Sequence, residues 1–329
     1  MFHRFKPIFL IGCLVLPITA YSQSANGFHP GKASYLWPTN ASNYLSSTFA
    51  ETRSRHFHAA LDMKTWGRRG YKVFATRDGV LHRIAIGPDG YGKVVYLRHD
   101  DGSYSLYAHL LRFEESIQQI ADSVRMEDHS FELDKTLDNL GIRINRGDVI
   151  GLSGATGIGP PHLHFELRTP TGKPFNPLLT NLKAKDTVPP RFSSLSIEPL
   201  SVFSKIENRH QLYTSRAQKR GDDYTFNIIN VEGPVGLGVD VYDQADDVYN
   251  AYAVYDLKMY VNNRLFFHSR VDSFAYNETD QMFLDRVYPI LKKTRAGFQR
   301  LYITDGNTLP FYRETGQSGK LDLPAGTQC

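Results

Sequence analysis

The chain has 329 residues, of which 41% are hydrophobic and 22% are charged, and its formal net charge at pH 7 is +4. This length leaves room for two domains of ordinary size, and the composition is that of a folded protein rather than a disordered one. So small a net charge gives no electrostatic footprint for nucleic acid, which excludes that class of partner. Because the two cysteines are Cys13 and Cys329, we expect no internal disulfide, so a hydrophobic core or a metal must hold the fold.

The first 22 residues have the pattern of a secretory signal peptide. Arg4 and Lys6 precede an apolar run over residues 7–17, which is too short to span a bilayer, and small residues follow it. We therefore expect a chain that is exported to the periplasm or the extracellular cell envelope, with no membrane span in its mature form. Cys13 resembles a lipoprotein cleavage site, but the apolar stretch before it is short, so lipidation is not expected.

Two boundaries divide the remaining sequence. Residues 23–46 are rich in Asn, Ser, Pro and aromatic residues without periodicity, which predicts a loosely structured lead-in. A first domain is predicted at residues 47–182. Prolines and turn residues at 186–190 mark its end, and a second domain is predicted at residues 191–329.

Short strands separated by turns dominate the first predicted domain. Strand-like patterns cover residues 71–76, 79–86, 93–99 and 103–109. Asp101 and Gly102 form a strong hairpin-turn signal between the last two segments. In the last segment Ser105, Tyr107 and His109 fall on one side, which predicts a polar, open strand face that ends at His109.

The hydrophobic period changes to that of a helix between residues 112 and 128. Phe113, Ile117, Ile120 and Val124 are spaced to lie on one face. An amphipathic helix that covers the sheet is the first interpretation. A lid beside a functional site is the second, because insertions of this kind are often functional.

Beyond residue 190 the sequence predicts an antiparallel β domain of sandwich type. Alternating patterns over residues 254–261 and 300–303 indicate strands. The acidic stretch at residues 240–247 lacks the ligand spacing of a calcium loop, so we expect a solvated loop. Residues 321–326 have the pattern of a strand that enters a turn with no returning strand, which predicts that the last domain is incomplete.

Residues 159–167 combine an apolar strand with two histidines. Because side chains alternate across a strand, Leu163 and Phe165 share one face, while His162 and His164 share the other. A single histidine among apolar residues is usually a hydrogen-bonded structural residue. Two at alternate positions, with a glutamate beside them, favour a chemical role.

His58 and Asp62 add a histidine and a carboxylate to this strand. With His164 they make two neutral nitrogens and one carboxylate, a set of three ligands that leaves zinc one position open for water. Other imidazoles can aim such a water and stabilise the oxyanion near neutral pH, and His162 and His109 are available. The sequence has no His-Glu-x-x-His helix, which excludes zinc proteases that use a helical glutamate base.

Three motifs occur in a fixed order: His58-x-x-x-Asp62, Tyr107-Ala108-His109-Leu110 and His162-Leu163-His164-Phe165-Glu166. In order and context they resemble the lysostaphin-like, or LytM-type, zinc metallopeptidases that cut peptidoglycan peptides, and the resemblance spans about 135 residues, roughly positions 45 to 180. It implies that His58, Asp62 and His164 bind one zinc ion per chain. It also implies that His109 and His162 act on the water and the oxyanion. Ala60 departs from the family pattern, which usually has glycine there, but no ligand is lost.

The resemblance also implies a fold and a function. The fold is mainly β: a compact antiparallel sheet with a helical insertion, the metal at the floor of a groove, and a β-sandwich-like second domain. The function is zinc-dependent hydrolysis of stem and cross-bridge peptides of peptidoglycan. The alternative is a LytM-type module that activates another cell-wall hydrolase by binding it. A third possibility is a binding role for the second domain, with hydrolysis secondary.

Overall fold

The computed structural model describes residues 9–12 and 29–328. Most of the predicted signal peptide, residues 1–22, lies outside the described residues, as do both cysteines. Within the described part the chain is mainly β, as the sequence predicts, and every strand pairing between the strands named below is antiparallel. No helix among these residues is both long and apolar enough to cross a membrane.

The strands of the first half are β1 Phe9–Gly12, β2 Leu45–Ser47, β3 Leu61–Lys64, β4 Lys72–Phe74, β5 Gly79–Ile86, β6 Lys93–Arg98, β7 Tyr104–Ala108, β8 Leu110–Phe113, β9 Leu133–Thr136, β10 Arg143–Ile144, β11 Val149–Ser153, β12 His162–Arg168 and β13 Pro174–Phe175. The strands of the second half are β14 Arg191–Pro199, β15 Lys205–Ile206, β16 Tyr213–Arg216, β17 Gln218–Arg220, β18 Asp223–Thr225, β19 Asn230–Tyr242, β20 Asp256–Val261, β21 Arg264–Arg270, β22 Gln299–Arg300, β23 Tyr312–Thr315 and β24 Leu321–Gln328. The α-helices are α1 Glu115–Glu127, α2 Met282–Asp285 and α3 Tyr288–Thr294, and short 3₁₀ helices lie at Pro30–Lys32, Asp138–Leu140, Pro177–Leu179, Tyr276–Gln281 and Gly316–Gly319.

The main sheet of the first half has the order β10-β5-β6-β7-β12-β3-β2. Its strand β12 lies between β7 and β3, so that His164 is paired with Ala108 on one side and with Asp62 on the other. This register brings together residues that are far apart in the sequence. A second sheet, β4-β11-β8, lies beside it and contributes Val73 and Ile150 to the same core.

The two faces of β12 have the contrast that the sequence predicts. Leu163, Phe165 and Leu167 lie at 0–1% exposure in the hydrophobic core. Burying each of these side chains contributes about 1.5–3 kcal/mol relative to leaving it in water. The opposite face carries His164 and Glu166, so the core fixes the strand that presents them.

Helix α1 begins at Glu115, three residues later than the sequence predicts. Residues up to Phe113 belong to β8, and Glu114 caps the helix by accepting a hydrogen bond from the Ser116 backbone N–H at 2.9 Å. Ile117 and Ala121 are buried in the core. The helix therefore covers the sheet, which is the first of the two interpretations.

The predicted loose lead-in is wrong for its described part. Tyr35 is buried in the core, and Leu45–Ser47 is strand β2, which pairs with β3. The predicted domain limit at residue 47 therefore cuts through a strand. Single hydrogen bonds order this segment: the Tyr35 backbone N–H donates to Asn181, and the Trp37 indole donates to the Ser42 carbonyl. Bonds of this kind leave no periodicity in the sequence.

The second half contains the predicted sandwich. One sheet has the order β15-β19-β14-β16, with β22 and β24 also paired to β19. The other has the order β20-β21-β23, and β1 from the start of the chain pairs with β20 at its edge. Their facing side chains form one core, to which Ile197 and Val235 contribute from the first sheet and Met259 and Phe267 from the second. Residues 182–190, which have no regular secondary structure, connect the two halves.

Two expectations for the second half are corrected. The strand near the end, β24, has a partner, because it pairs with β19. The acidic stretch is not simply solvated: Ala245 within it is buried in the core of the first half, as is Val248, which follows it. Both errors have one cause, since the partners lie far away in the sequence and a local pattern cannot show them.

Candidate metal centre

Three side chains meet on the open face of the main sheet. The His58 Nε2 and Asp62 Oδ1 atoms are 3.1 Å apart, the His164 Nδ1 and Asp62 Oδ1 atoms 3.0 Å, and the two nitrogens 3.3 Å. Asp62 lies in β3 directly opposite His164 in β12. All three residues are buried, at 5–8% exposure. The register of β3 and β12 sets one edge of this triangle of donor atoms, and His58, which precedes β3, completes it.

The second ring nitrogen of His58 and of His164 makes a hydrogen bond outside the triangle. His58 Nδ1 lies 2.9 Å from the Thr48 carbonyl oxygen, and His164 Nε2 lies 3.0 Å from Glu166 Oε1. A carbonyl and an ionised carboxylate can only accept, so each imidazole donates its N–H outward. Its other nitrogen then turns a lone pair into the triangle, as a metal ligand must.

The triangle fits zinc by size and by chemistry. Ligand atoms about 2.0–2.1 Å from a tetrahedral zinc are themselves roughly 3.3–3.4 Å apart, close to the edges of 3.0–3.3 Å here. Two lone pairs and a carboxylate oxygen repel one another at such distances unless a cation or a proton lies between them. Two imidazoles and one carboxylate are also a donor set that zinc takes in catalytic sites.

The pKa shifts of Asp62 and His164 also indicate that this site favours positive charge. Burial by itself would raise the pKa of the Asp62 carboxyl, but His58 and His164 outweigh it and hold that pKa well below its usual range. Burial would lower the pKa of His164, but its hydrogen bonds to Asp62 and Glu166 raise that pKa to about 9. The carboxylates thus favour a cation at this point.

His109 and His162 stand beside the triangle. Their ring centroids are 4.5 Å apart, and His162 Nε2 lies 3.6 Å from Asp62 Oδ1. His109 Nδ1 donates to the Thr156 carbonyl at 2.9 Å, and His162 Nδ1 donates to the Pro160 carbonyl at 2.7 Å. Burial lowers both pKa values, that of His109 to about 4. Both rings are therefore neutral near pH 7, with Nε2 free to accept a proton.

A second group of donors overlaps the first. His109, His162 and His164 offer nitrogens that all lie within 4.8 Å of one another. This group has no carboxylate to balance the charge of a divalent cation, whereas the triangle has Asp62. Of the two groups, His58, Asp62 and His164 are therefore the better fit for a metal ion.

The predicted polar face of the 103–109 strand is wrong. Tyr107 is fully buried in the core, where its hydroxyl accepts a hydrogen bond from the Thr76 backbone N–H, while Ala108 lies opposite His164. Strict alternation would therefore aim position 109 at the core. His109 instead has φ +60°, and this left-handed residue between β7 and β8 turns its ring to the metal face.

Two glycines allow the loop that holds His109 in place. Gly92 has φ +63°, and a Cβ there would lie 2.3 Å from the Thr156 backbone carbon. Gly157 has φ +74°, and its Cβ would lie 2.3 Å from the Gly90 carbonyl oxygen. Only glycines allow these two loops to meet so closely. The contact places the Thr156 carbonyl where it accepts from His109.

Sequence reasoning missed the residues around the ligands. Glu166 is fully buried and accepts from His164 and Tyr91 through Oε1, and from Tyr276 and Arg168 through Oε2. Its position two residues after His164 was a signal for this role, because both lie on one strand face. The two tyrosines had no local signal: they are 75 and 110 residues away from Glu166.

The carboxylate ligand has its own support. The Arg53 guanidinium lies 3.5 Å from the second oxygen of Asp62 and 3.0 Å from Glu51. Arg53 also donates to the Ser47 hydroxyl. This network holds the Asp62 carboxylate with Oδ1 toward the two imidazoles.

Parts of the chain are similar to known proteins. The model of peptidase family M23 matches residues 56–129, a range that contains His58, Asp62 and His109. A DD-carboxypeptidase/endopeptidase, Mpg, of Neisseria meningitidis is 35% identical over 111 residues, which are 33% of this chain and 20% of that protein. An uncharacterised metalloprotease of Haemophilus influenzae is 28% identical over 169 residues, 49% of this chain and 30% of that protein.

A third relative is a lipoprotein. The NlpD/LppB homologue of Pseudomonas aeruginosa is 28% identical over 149 residues, 45% of this chain and 40% of that protein. The chain thus spans between a fifth and two fifths of the length of these relatives.

Proposed function

We propose that the chain is a zinc-dependent endopeptidase that hydrolyses peptide cross-links of peptidoglycan, because residues 56–129 match the model of peptidase family M23. One observation carries the proposal: His58, Asp62 and His164 aim three donor atoms at one point, with two neutral imidazoles beside them. We further propose that the protein works in the cell envelope, where that substrate lies.

The proposed roles follow from the hydrogen bonds. His58, Asp62 and His164 hold the metal, which when bound supplies a Lewis acid and an activated water. His109 and His162 accept a proton at Nε2 and, once protonated, hydrogen-bond to the developing oxyanion or give the proton to the leaving amine as the C–N bond breaks. Their outward bonds to the Thr156 and Pro160 carbonyls keep both rings in the required tautomer.

The peptidoglycan substrate is supported by the relatives. The Neisseria protein that this chain matches is described as a DD-carboxypeptidase and endopeptidase. The competing function is a module that activates another cell-wall hydrolase by binding it. Such a module needs no metal ligands, whereas this chain keeps three, so we favour the enzyme.

Digestion of purified sacculi tests the proposal. The protein, loaded with zinc, is incubated with sacculi, and the released muropeptides are identified by mass spectrometry. We expect cross-linked muropeptides to be split at a peptide bond, and we expect a chelator to abolish the cleavage. Folded, zinc-loaded protein that releases nothing, but stimulates a separate wall hydrolase, would favour the regulatory module.

A further inference from the structure

One short segment of the second half, residues 271–276, lies against the metal centre. The Asn176 backbone N–H donates to the Asp272 carbonyl at 2.8 Å, and Phe175 forms a β-bridge with Ser273. Phe175 belongs to β13, which pairs with β12. The segment therefore runs beside the strand that carries His164.

Tyr276 extends from this segment toward the ligand. Its hydroxyl donates to Glu166 Oε2 at 2.5 Å, and the Arg168 guanidinium lies over its ring at 4.8 Å. The other oxygen of Glu166 accepts from His164 Nε2 at 3.0 Å. One buried carboxylate thus connects a tyrosine of the second half to a ligand of the first.

Phe274 connects the same segment to the other histidine ligand. Its side chain is fully buried, and its ring centroid lies 4.9 Å from that of Phe49 and 5.7 Å from that of Phe57. Phe57 directly precedes His58, and Ala59 belongs to the same hydrophobic cluster. The packing of Phe274 thus fixes the backbone on both sides of His58.

The Tyr276 contact has a specific consequence for the ligand. A carboxylate that accepts from the outer nitrogen of a ligating imidazole fixes its tautomer and ring orientation and raises its basicity. Glu166 can orient His164 only while the plane of its own carboxylate is fixed. The Tyr276 hydroxyl helps to fix that plane, because it donates to the carboxylate oxygen that does not bind His164.

We propose that Tyr276 is a positioning residue of the metal centre, which orients His164 through Glu166. The second half of the chain is then required for full metal affinity and is not a separable attachment. The inference rests on the proposed function for the identity of the metal. The contacts of Tyr276 do not depend on which substrate the protein takes.

Zinc affinity of the full chain tests the inference. The variant Tyr276→Phe removes the hydroxyl and keeps the ring, and the zinc dissociation constant is measured by competition with a chromophoric chelator. Loss of a group that supports a ligand typically weakens metal binding about 10–100-fold, and because Tyr91 and Arg168 remain on Glu166 we expect about tenfold. The control is Tyr288→Phe, which removes a hydroxyl from a tyrosine of similar overall exposure, 44% against 42%. It should leave the affinity unchanged.

A double-mutant cycle shows whether Tyr276 acts through Glu166. If it does, Tyr276→Phe should change the affinity of a Glu166→Gln chain by much less than tenfold, since coupled residues are not additive. Full additivity would overturn the inference, as would an unchanged zinc affinity in Tyr276→Phe. Parent protein that binds no zinc would overturn the proposed function and the inference together. Parent protein that binds zinc and cleaves sacculi while Tyr276→Phe binds equally well would overturn the inference alone.

Discussion

For His109, the residue type and the motif predicted the location at the site but not the local backbone conformation. Its residue type and its neighbours in the motif predicted a role at the metal, and the structure places it beside His162 and His164. The strand face predicted for it was wrong, because alternation was extended through a residue with φ +60°. A positive φ in a residue other than glycine leaves no trace in a hydrophobic pattern.

The His109→Ala variant separates catalysis from metal binding. The His109 ring donates a hydrogen bond to the Thr156 carbonyl and is not one of the three proposed metal ligands. Zinc occupancy should therefore stay near one per chain. Losing a proton-transfer or oxyanion group typically lowers turnover about 100-fold or more. The checks are zinc content by elemental analysis and turnover on sacculi.

His58→Ala is the matched comparison for this variant. It removes a proposed ligand, so zinc content, activity and thermal stability should fall together. A folded, zinc-replete His109→Ala protein that digests sacculi at the parent rate would refute the catalytic assignment.

At the scale of single elements, strands bounded by clear turns were predicted well. The strand Gly79–Ile86 has the predicted limits, and β12 has the predicted division into core and site faces. Alternation and turn residues are local signals, and they were sufficient here. Strand β2 and the partner of β24 were missed because their pairing is set by residues far away in the sequence.

Truncating a core side chain of β12 should destabilise the protein strongly. Phe165 is fully buried against the Tyr107 ring at 5.4 Å, so Phe165→Ala should reduce the free energy of unfolding by about 3–5 kcal/mol. The same substitution at Phe131, which is 88% exposed, should change it by less than about 0.5 kcal/mol. Denaturant titration measures both values. Equal effects would contradict the view that the core holds this strand.

At the scale of the whole molecule, the two halves pack against each other through shared hydrophobic clusters. Val248 and Tyr252 of the second half are buried in the core of the first. Phe49 and Phe57 of the first half pack with Phe274 of the second. The sequence predicted two domains joined by a proline-rich connection, but composition cannot show that residues of both halves pack in the same hydrophobic clusters.

A chain shortened to residues 29–190 should therefore not fold normally. It would expose Phe49 and Phe57 to water and remove the bond from the Tyr252 hydroxyl to the Leu45 carbonyl. We expect a loss of near-ultraviolet circular dichroism and no cooperative thermal transition. A shortened chain with the zinc affinity of the full protein would show that the second half is separable.

The most direct test of the account is to locate the metal itself. Crystals of the zinc-loaded chain, measured on both sides of the zinc absorption edge, give an anomalous difference map. We predict one strong peak per chain, within bonding distance of His58 Nε2, Asp62 Oδ1 and His164 Nδ1. A peak among His109, His162 and His164 instead, or no peak in zinc-saturated protein, would contradict the account.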